Sequence, residues 1–349
     1  MKTSNKKKKF VVITENNNHL TGGRYYSWMI AVALKEAGFD VTIHTNAEPT
    51  FFNYFSAYKK PKLVVHDCTQ KELSFLKIKA DVYIGSPIYG DVCAIKNALK
   101  YKKQAFPILF DPLPMIYKFL KKKTFRGWLE LTNLLKEPAV KIITLCHATH
   151  PYIYNWLNKT DDQLLPIYPS INSEAKKKSK KPDRNNYAVF VSRLVHNKKF
   201  DHVVWACRQN NLRLKVITSI SEIDYKKIVR AYRMDKQTDF YFNATEKEKF
   251  ELIRGASVMI NGAIFEGFGI WMAEAIACGT PVVCYNYPTM REIANFSGAK
   301  NIYFASFNNH KDLALKLNQC LYQRAFEEEK TMFDFKAMIK RVKEVFENV

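Results

Sequence analysis

The sequence predicts two α/β domains, each built on a doubly wound parallel β-sheet, that face each other across a cleft. The first observation is the length of 349 residues, which exceeds one ordinary hydrophobic core and suits two domains of about 150 residues each. The second is that short apolar segments alternate with helix-like segments along both halves. The third is a basic segment with a proline over residues 171–185, which is typical of an interdomain linker.

The composition excludes a disordered protein and shows a strongly basic chain. Hydrophobic residues make up 47% and aromatic residues 14% of the chain, so it is not intrinsically disordered. The 55 Lys and Arg against 33 Asp and Glu give a net charge of +22, and such a field attracts nucleic acid, anionic lipid or nucleotide phosphates. The alternative is that a lysine-rich composition serves solubility alone.

Cysteine usage and hydropathy bear on the compartment. The seven cysteines are scattered and never spaced C-x-x-C, which favours a reducing compartment with neither a disulfide framework nor a zinc site. No apolar signal core follows the N-terminal lysines, and no segment reaches the ~18 apolar residues of a membrane span. We therefore expect a cytoplasmic protein, with peripheral attachment to a membrane left open.

The first half opens with a strand–loop–helix–strand pattern. An apolar strand is predicted over residues 10–13, and the polar loop after it ends at Gly22 and Gly23. A helix over residues 25–37 stops at Gly38, and a second strand follows, which makes a βαβ unit. Further strands are predicted over residues 41–44, 63–65, 82–84, 106–110 and 141–145.

The second half repeats this alternation after the linker. Gly279 and Pro281 mark the end of its most regular helix, as glycine and proline do just beyond helix C-termini. Strands are predicted over residues 187–191, 212–217, 240–242, 257–260 and 282–285. Helices are predicted over residues 200–209, 225–232, 246–254, 270–277 and within 311–349.

The most informative segment reads NGAIFEGFGIWMAEAIACGTPVV over residues 261–283. A strand ends just before it, and the glycines Gly262, Gly267 and Gly269 would let a ligand approach the loop backbone closely. A helix that begins near Ile270 presents free N–H groups and the positive end of its dipole. The segment therefore predicts an anion site suited to a diphosphate.

Two carboxylates accompany this anion site. Glu266 lies in the loop and Glu274 about one turn into the helix, where they are poorly placed to bind phosphate but suited to accept hydrogen bonds from sugar hydroxyls. Two glutamates eight residues apart are common by chance, and Glu274 alone would fit a solvated helix position. The whole segment, with its exit through Gly279 and Pro281, is far less common.

These residues resemble a known family. Glu266 and Glu274 match the E-x7-E signature of retaining glycosyltransferases with the GT-B fold, closest to family 4 (glycosyl transferases group 1). The stretch VSRLVHNKKFD over residues 191–201 is similar to the family's G-R-L-x-x-x-K-G-x-D, with Ser192 and Lys199 replacing its glycines. The Gly22 and Gly23 loop is a third, weaker match.

The resemblance implies a domain plan and a donor site. Residues 1–170 would form a Rossmann-like acceptor-side domain, residues 186–325 the Rossmann-like nucleotide-sugar domain, and residues 326–349 helices whose return to the first domain is left open. Arg193 and Lys198 would bind the diphosphate, which fits the planar fork of Arg and the compact charge of Lys. Glu274 would hold the ribose and Glu266 the transferred sugar, and the catalytic residues would be Glu266, Arg193 and Lys198. The full donor site would comprise Gly22, Gly23, Arg193, Lys198, Glu266, Gly267, Phe268, Gly269, Ile270 and Glu274.

The implied reaction retains the anomeric configuration and needs no metal or other cofactor. Cations and amides aimed at the leaving β-phosphate would lower the barrier, and no Asp-x-Asp motif is placed to hold Mg²⁺. The departing phosphate can itself accept the proton of the acceptor, so no general base is assigned. Relatives commonly carry a histidine in the first domain, which is missing at residues 84–87 and 110–112; for His147 and His150 we expect a structural or rim role.

The acceptor is the least legible part of the sequence. Residues 113–135 interleave basic and aromatic side chains, which fits an interfacial helix on anionic lipid. We therefore hypothesise a lipid-linked or membrane acceptor, against the alternative of a core helix with a solvated lysine face. A nucleic-acid or protein acceptor ranks lower, and a non-catalytic nucleotide-sugar binder stays open. The residues of the hypothetical membrane contact are Lys118, Lys121, Lys122, Lys123, Arg126 and Trp128.

Overall fold

A computed structural model describes residues 8–16, 22–49, 57–112, 114, 122–176, 185–219, 226, 237–242, 244–323 and 333–349. The chain divides into two compact units. Unit 1 comprises Met1–Ser170 together with Phe335–Val349, and unit 2 comprises Ile171–Asp334. Apart from residue 226, the predicted helix over residues 225–232 lies outside the described residues, as do residues 177–184 of the predicted linker.

Unit 1 is built on a seven-stranded parallel sheet of order β3-β2-β1-β4-β5-β6-β7. Its strands are β1 Lys9–Thr14, β2 Asp40–Thr45, β3 Lys62–Val65, β4 Val82–Ser86, β5 Gln104–Leu109, β6 Ile142–Thr144 and β7 Leu164–Pro166. Its helices are α1 Gly22–Glu36, α2 Gln70–Leu73, α3 Ile88–Lys100, α4 Lys122–Leu135 and α5 His150–Leu157, and the last helix of the chain, Phe335–Phe346, also belongs to it.

Two glycines let α3 cross the middle of the unit 1 sheet at close range. A Cβ on Gly90 would lie 2.5 Å from the carbonyl oxygen of Ile13 in β1. A Cβ on Gly85 in β4 would lie 2.4 Å from the Cα of Asp91. Because real Cβ atoms do not approach backbone atoms so closely, both positions require glycine, and α3 starts directly against the carboxyl ends of β1 and β4.

Unit 2 is built on a six-stranded parallel sheet of order β10-β9-β8-β11-β12-β13. Its strands are β8 Asn185–Val191, β9 Arg213–Thr218, β10 Thr238–Phe242, β11 Ala256–Asn261, β12 Val282–Tyr285 and β13 Ile302–Ala305. Its helices are α6 Phe200–Gln209, α7 Glu246–Arg254, α8 Ile270–Ala277, α9 Pro288–Ser297 and α10 His310–Gln323, which makes the helix Phe335–Phe346 α11.

Both sheets share one strand order along the chain. In each sheet the first strand lies between the second and the fourth, so the direction of winding reverses between β1 and β4 in unit 1 and between β8 and β11 in unit 2. Ligands of doubly wound folds bind at the carboxyl ends of the strands at this switch point. The prediction of two doubly wound parallel sheets is therefore confirmed. In each unit the strand order predicts a ligand site at the switch point.

The start of α1 differs from the prediction. Gly22 and Gly23 were expected to end a loop before the helix, but they form the first turn of α1 itself. A Cβ on Gly23 would lie 3.1 Å from the ring of Phe110, while a Cβ on Gly22 would meet no atom within 4 Å. Because a helix N-terminus needs no intrahelical partner for its first amides, glycine is tolerated there despite its low helix propensity.

Several elements were not predicted. The strands β7 and β13 are three and four residues long, too short for a periodic pattern to be distinctive. The sequence also did not predict the helices α3 and α9, although Pro87 directly precedes α3 and Pro288 is the first residue of α9. The C-terminal helices expected within residues 311–349 are α10 and α11.

Trp128 corrects the predicted membrane contact. The indole is only 8% exposed and belongs to the core of unit 1, where its ring lies 6.3 Å from that of Trp156. A Cβ on the neighbouring Gly127 would come within 3.0 Å of Ile88 in α3. The face of α4 that carries Trp128 is therefore turned inward, and only Arg126 of the predicted contact residues has a described, exposed side chain.

Candidate functional site

Lys198 lies at the carboxyl end of β8, beside the switch point of unit 2. It ends a short 3₁₀ turn, His196–Lys198, and Lys199 then adopts a left-handed conformation with φ 45° before α6 begins. The Lys198 residue is only 7% exposed, and its Nζ lies 2.7 Å from Oε1 of Glu266. A buried ammonium requires such a partner, because desolvation without one would be costly.

Glu266 follows β11, on the other side of the same switch point. Besides Lys198, its Oε1 accepts a hydrogen bond from Nε1 of Trp271 at 3.1 Å. Its backbone carbonyl accepts one from Oγ1 of Thr289 at 3.0 Å. Groups from three elements therefore fix this glutamate: the turn after β8, the first turn of α8 and the first turn of α9.

The loop that carries Glu266 is bonded to the loop that carries Lys198. The amide of Ile264 donates to the carbonyl of Asn197 at 2.9 Å. A Cβ on Gly262 would lie 2.8 Å from the carbonyl oxygen of Lys199 and 3.2 Å from that of Lys198. Glycine is therefore required at position 262 for close contact between the two loop backbones, and ligand approach at Gly262 stays a prediction.

The helix α8 begins where it was predicted, after the glycine loop. Gly269 has φ 90°, a conformation that strongly favours glycine. A Cβ there would also lie 2.4 Å from Cε of Met290 in α9, so packing against α9 favours glycine as well, and the predicted ligand contact of Gly269 stays a prediction. Phe268 is 3% exposed and its ring lies 5.2 Å from that of Phe333. Of this residue, only the backbone is left as a candidate ligand contact.

Glu274 is not a solvated helix residue. Its side chain is 6% exposed, and its Oε1 accepts a hydrogen bond at 2.8 Å from Nζ of Lys249 in α7. Burial raises the pKa of the Glu274 carboxyl above its usual value, and the Lys249 ammonium opposes that rise. The carboxylate predicted to hold a ribose thus has a protein counter-ion within hydrogen-bond distance.

Of the remaining predicted residues, Arg193 lies in unit 2, whereas Gly22 and Gly23 lie in unit 1. Arg193 follows β8 and is exposed, with no side-chain hydrogen bond or ion pair to any residue that the structure describes. Its guanidinium is therefore available to an anionic ligand. Gly22 and Gly23 lie in unit 1, in the first turn of α1.

Comparison with known proteins identifies the second half of the chain. The sequence profile described as Glycosyl transferases group 1 matches residues 172–336. This part of the chain is a glycosyl transferases group 1 domain. The chain is also 21% identical over 216 residues to the O-antigen chain mannosyltransferase RfbU of Salmonella typhimurium; the match covers 58% of this chain, which spans 58% of that relative's length.

Solved structures with the same fold cover almost the whole chain. Anabaena Alr3699/HepE, solved in complex with UDP-glucose, has a TM-score of 0.72 at 14% identity, covering 98% of this chain and 100% of that one. WaaG, a glycosyltransferase involved in lipopolysaccharide biosynthesis, has a TM-score of 0.64 at 13% identity, covering 97% and 95%. The predicted GT-B fold is confirmed.

Three side chains that bind Glu266 or Glu274 were not predicted from the sequence: Trp271, Thr289 and Lys249. Trp271 was visible inside the quoted segment, next to the predicted helix start, and could have been singled out as a polar-tipped aromatic beside Glu266. Thr289 and Lys249 carry no local signal, since they reach Glu266 and Glu274 from other elements. These contacts depend on tertiary packing.

The described residues contain no group of three or more His, Cys, Asp and Glu that could hold a metal ion, and metal independence of the group 1 domain stays a prediction. His150 is buried, and its Nε2 lies 2.8 Å from Oγ1 of Thr144 at the end of β6, while His147 is exposed. No helix within the described part of the chain is long and apolar enough to cross a bilayer.

Proposed function

We propose that this chain is a retaining, metal-independent glycosyltransferase that moves a hexosyl group from a nucleoside-diphosphate sugar to an acceptor. The observation that carries the proposal is the Lys198–Glu266 ion pair of 2.7 Å at the switch point of unit 2. It places a cation, a carboxylate and the amino end of α8 together at the edge where doubly wound folds bind ligands.

The cations and amides would serve the diphosphate. An ammonium has three donors, and Glu266 occupies one donor of Lys198, so the others are available to phosphate oxygens. Arg193, exposed at the end of β8, would add a planar, bidentate donor. The first amides of α8, near residues 267–270, would complete the cradle. Charge that develops on the β-phosphate as the glycosidic bond breaks would be stabilised by these fixed groups.

The carboxylates would serve the hydroxyls of the donor. Oε2 of Glu266 accepts no hydrogen bond from any described residue, whereas its Oε1 is held by Lys198 and Trp271. A carboxylate held at one oxygen can accept a sugar hydroxyl at the other. Glu274, deeper in α8, would accept the ribose hydroxyls of the nucleotide. Retention follows from the E-x7-E resemblance, and the departing phosphate would accept the acceptor's proton.

A lipid-linked acceptor is the acceptor class we favour. The relative RfbU is named for O-antigen synthesis and WaaG for lipopolysaccharide biosynthesis, and the net charge of +22 suits an anionic surface. Arg126 is exposed on α4, although Trp128 is not available for such a contact. The other four lysines of the hypothetical contact have no described side chains.

A screen of nucleoside diphosphates and their sugars tests the donor site. By thermal shift, a ligand at 100 times its dissociation constant should stabilise the protein by about 2.7 kcal/mol, and Arg193→Ala and Lys198→Met should remove the shift. Transfer or slow hydrolysis of the same sugar in EDTA, with product configuration read by NMR, tests retention and metal independence. Binding without any turnover would instead favour a non-catalytic nucleotide-sugar binder.

Vesicle co-sedimentation tests the acceptor side. We expect the full chain to bind vesicles with anionic lipid and not neutral ones, and to lose affinity as salt rises. A variant with Lys118, Lys121, Lys122, Lys123 and Arg126 changed to Gln should bind more weakly while keeping its donor thermal shift. Equal binding to both kinds of vesicle, or to neither, would contradict a membrane contact at this helix.

A further inference from the structure

Lys249 is the least explained charged residue of unit 2, because it is buried and lies outside the two quoted motifs over residues 191–201 and 261–283. It sits in the middle of α7, and its side chain is only 14% exposed. Its Nζ lies 2.8 Å from Oε1 of Glu274 and 2.9 Å from Oε1 of Glu246, one turn earlier in α7. A buried ammonium is costly unless paired, so the position of Lys249 calls for a reason.

From this contact we infer that Lys249 is a positioning residue, which fixes Glu274 as an oriented carboxylate acceptor for the ribose hydroxyls of the donor nucleotide. The inference rests on the proposed function and deepens it. Lys249 would contact neither the diphosphate nor the transferred sugar. It acts through Glu274 alone.

The hydrogen bonds leave one oxygen of Glu274 unused. Lys249 binds Oε1, while Oε2 accepts no hydrogen bond from any residue that the structure describes. A carboxylate oxygen that no protein donor occupies can accept hydrogen bonds from a ligand. A ligand with a hydroxyl pair supplies the missing donors, which is the chemistry of a ribose and not that of a phosphate.

A second carboxylate keeps the lysine in place. Glu246 binds Lys249 and also accepts a hydrogen bond from Nδ2 of Asn172 at 3.1 Å, so Glu246 is anchored from two sides. Its side chain is 19% exposed, against 6% for Glu274. The order Asn172, Glu246, Lys249, Glu274 therefore runs inward, and each member restrains the next.

The charges explain why a cation, rather than a neutral donor, occupies this place. Burial raises the pKa of Glu274, and the nearby Glu246 raises it further, while Lys249 lowers it. Burial by itself would lower the pKa of Lys249, but the two carboxylates together raise it above its usual value. Without the ammonium, two carboxylates would remain close together in a buried place, and Glu274 would bind a proton. A protonated Glu274 has lost much of its strength as an acceptor.

The decisive experiment compares nucleotides with and without ribose hydroxyls. The probes are ADP, GDP, CDP and UDP, each paired with its 2′,3′-dideoxy counterpart, and the ribonucleotide that the wild-type protein binds most tightly is used further. We expect its dideoxy counterpart to bind about tenfold to a hundredfold more weakly, since hydrogen bonds to a carboxylate are lost. In Lys249→Met this ratio should fall towards one near neutral pH, with the dideoxy affinity little changed.

The pH dependence separates positioning from a merely structural role. In Lys249→Met the ratio should recover as pH rises and Glu274 ionises, whereas the wild-type ratio should be flat over the same range. Lys247→Met is the matched control, because Lys247 lies on the same helix with a 78% exposed side chain, and it should keep the wild-type ratio. Should Lys249→Met fail to fold, Lys249→Gln keeps a neutral donor, on a side chain one bond shorter, without the charge.

Two outcomes would overturn the inference, and they are distinguishable. If wild type binds none of the four ribonucleotides, the proposed function fails and the inference fails with it. If wild type discriminates against the dideoxy nucleotide and a folded Lys249 variant does so equally near neutral pH, only the role of Lys249 is refuted.

Discussion

In unit 2, the carboxylate that follows the fourth strand of the sheet, Glu266, is held by an ammonium that follows the first strand, Lys198. Unit 1 has the same strand order and also a carboxylate at its switch point, but the hydrogen bond to this carboxylate comes from a backbone amide. Glu15, directly after β1, instead accepts a hydrogen bond at 2.5 Å from the backbone amide of Tyr89, in the first turn of α3. At the carboxyl edge of the two sheets, the carboxylate at the switch point therefore has a different partner in each unit.

The difference concerns what each helix N-terminus can still bind. In unit 1, Glu15 is 6% exposed and already occupies the amino end of α3, where an anion would otherwise sit. Asp91, buried one turn into the same helix, has its pKa raised well above the usual value by burial. In unit 2, the Lys198–Glu266 ion pair lies beside the amino end of α8 instead. An anionic ligand is therefore expected at α8 and not at α3.

The strongest test of this comparison is Lys198→Met. The variant removes the cation from the switch point of unit 2, so we expect kcat/KM for sugar transfer to fall about 10²–10³-fold, as when one preorganised donor to a developing oxyanion is lost. Steady-state kinetics with the donor found in the screen measures it. Lys247→Met, an exposed lysine on α7, is the control, and an equal effect of the two changes would show that general charge, not this pair, matters.

The second test concerns Glu15 and pH. Burial raises the pKa of Glu15 to about 7, against the opposing effect of the Tyr89 amide and Arg24. Because the folded pKa lies above the ordinary value of 4.5, the folded protein binds this proton more tightly than the unfolded chain. Its stabilising effect is complete below pH 4.5 and is lost as pH rises to about 7, by about 3 kcal/mol in all.

Urea unfolding of wild type and Glu15→Gln from pH 5 to 8 measures this effect. Glutamine keeps the acceptor for the Tyr89 amide without the titration, so the difference in unfolding free energy should grow in favour of the variant as pH rises to about 7. Above that it should stay constant. A difference that is flat over the whole range would mean that Glu15 titrates normally.

The third test compares a glycine from each unit. Gly262→Ala should destabilise the protein by about 1–3 kcal/mol, because its Cβ would press on the carbonyl oxygens of Lys198 and Lys199. It should also weaken donor binding, since these loops carry the site. Thermal melts with and without nucleotide report both effects, and a folded variant with unchanged donor affinity would separate the loop contact from the site.

Gly22→Ala is the matched change in unit 1, with the smallest expected effect. Its Cβ would meet no atom within 4 Å and the residue opens α1, so we expect stabilisation by about 0.5–1 kcal/mol. The same thermal melts measure it. A loss of stability would show that glycine is needed there for its backbone conformation.

The sequence by itself determined the features that depend on local pattern. The predicted first and last residues of α6, α7, α8 and β12 match the structure. They could be predicted because apolar periodicity and terminating residues lie within each segment. The likeness of residues 191–201 and 261–283 to a glycosyltransferase motif was also local, and the family match confirms it. The roles of the individual site residues stay predictions.

Tertiary structure alone decided which side chains meet. Lys249 lies 25 residues before Glu274 in sequence, yet the packing of the strands and helices between them brings their charges to 2.8 Å. The inward face of α4, which buries Trp128, and the use of Gly262 for backbone contact depend on neighbours that sequence spacing does not name. Periodicity records which residues share a face, whereas the partner of a face is set by how the whole chain packs.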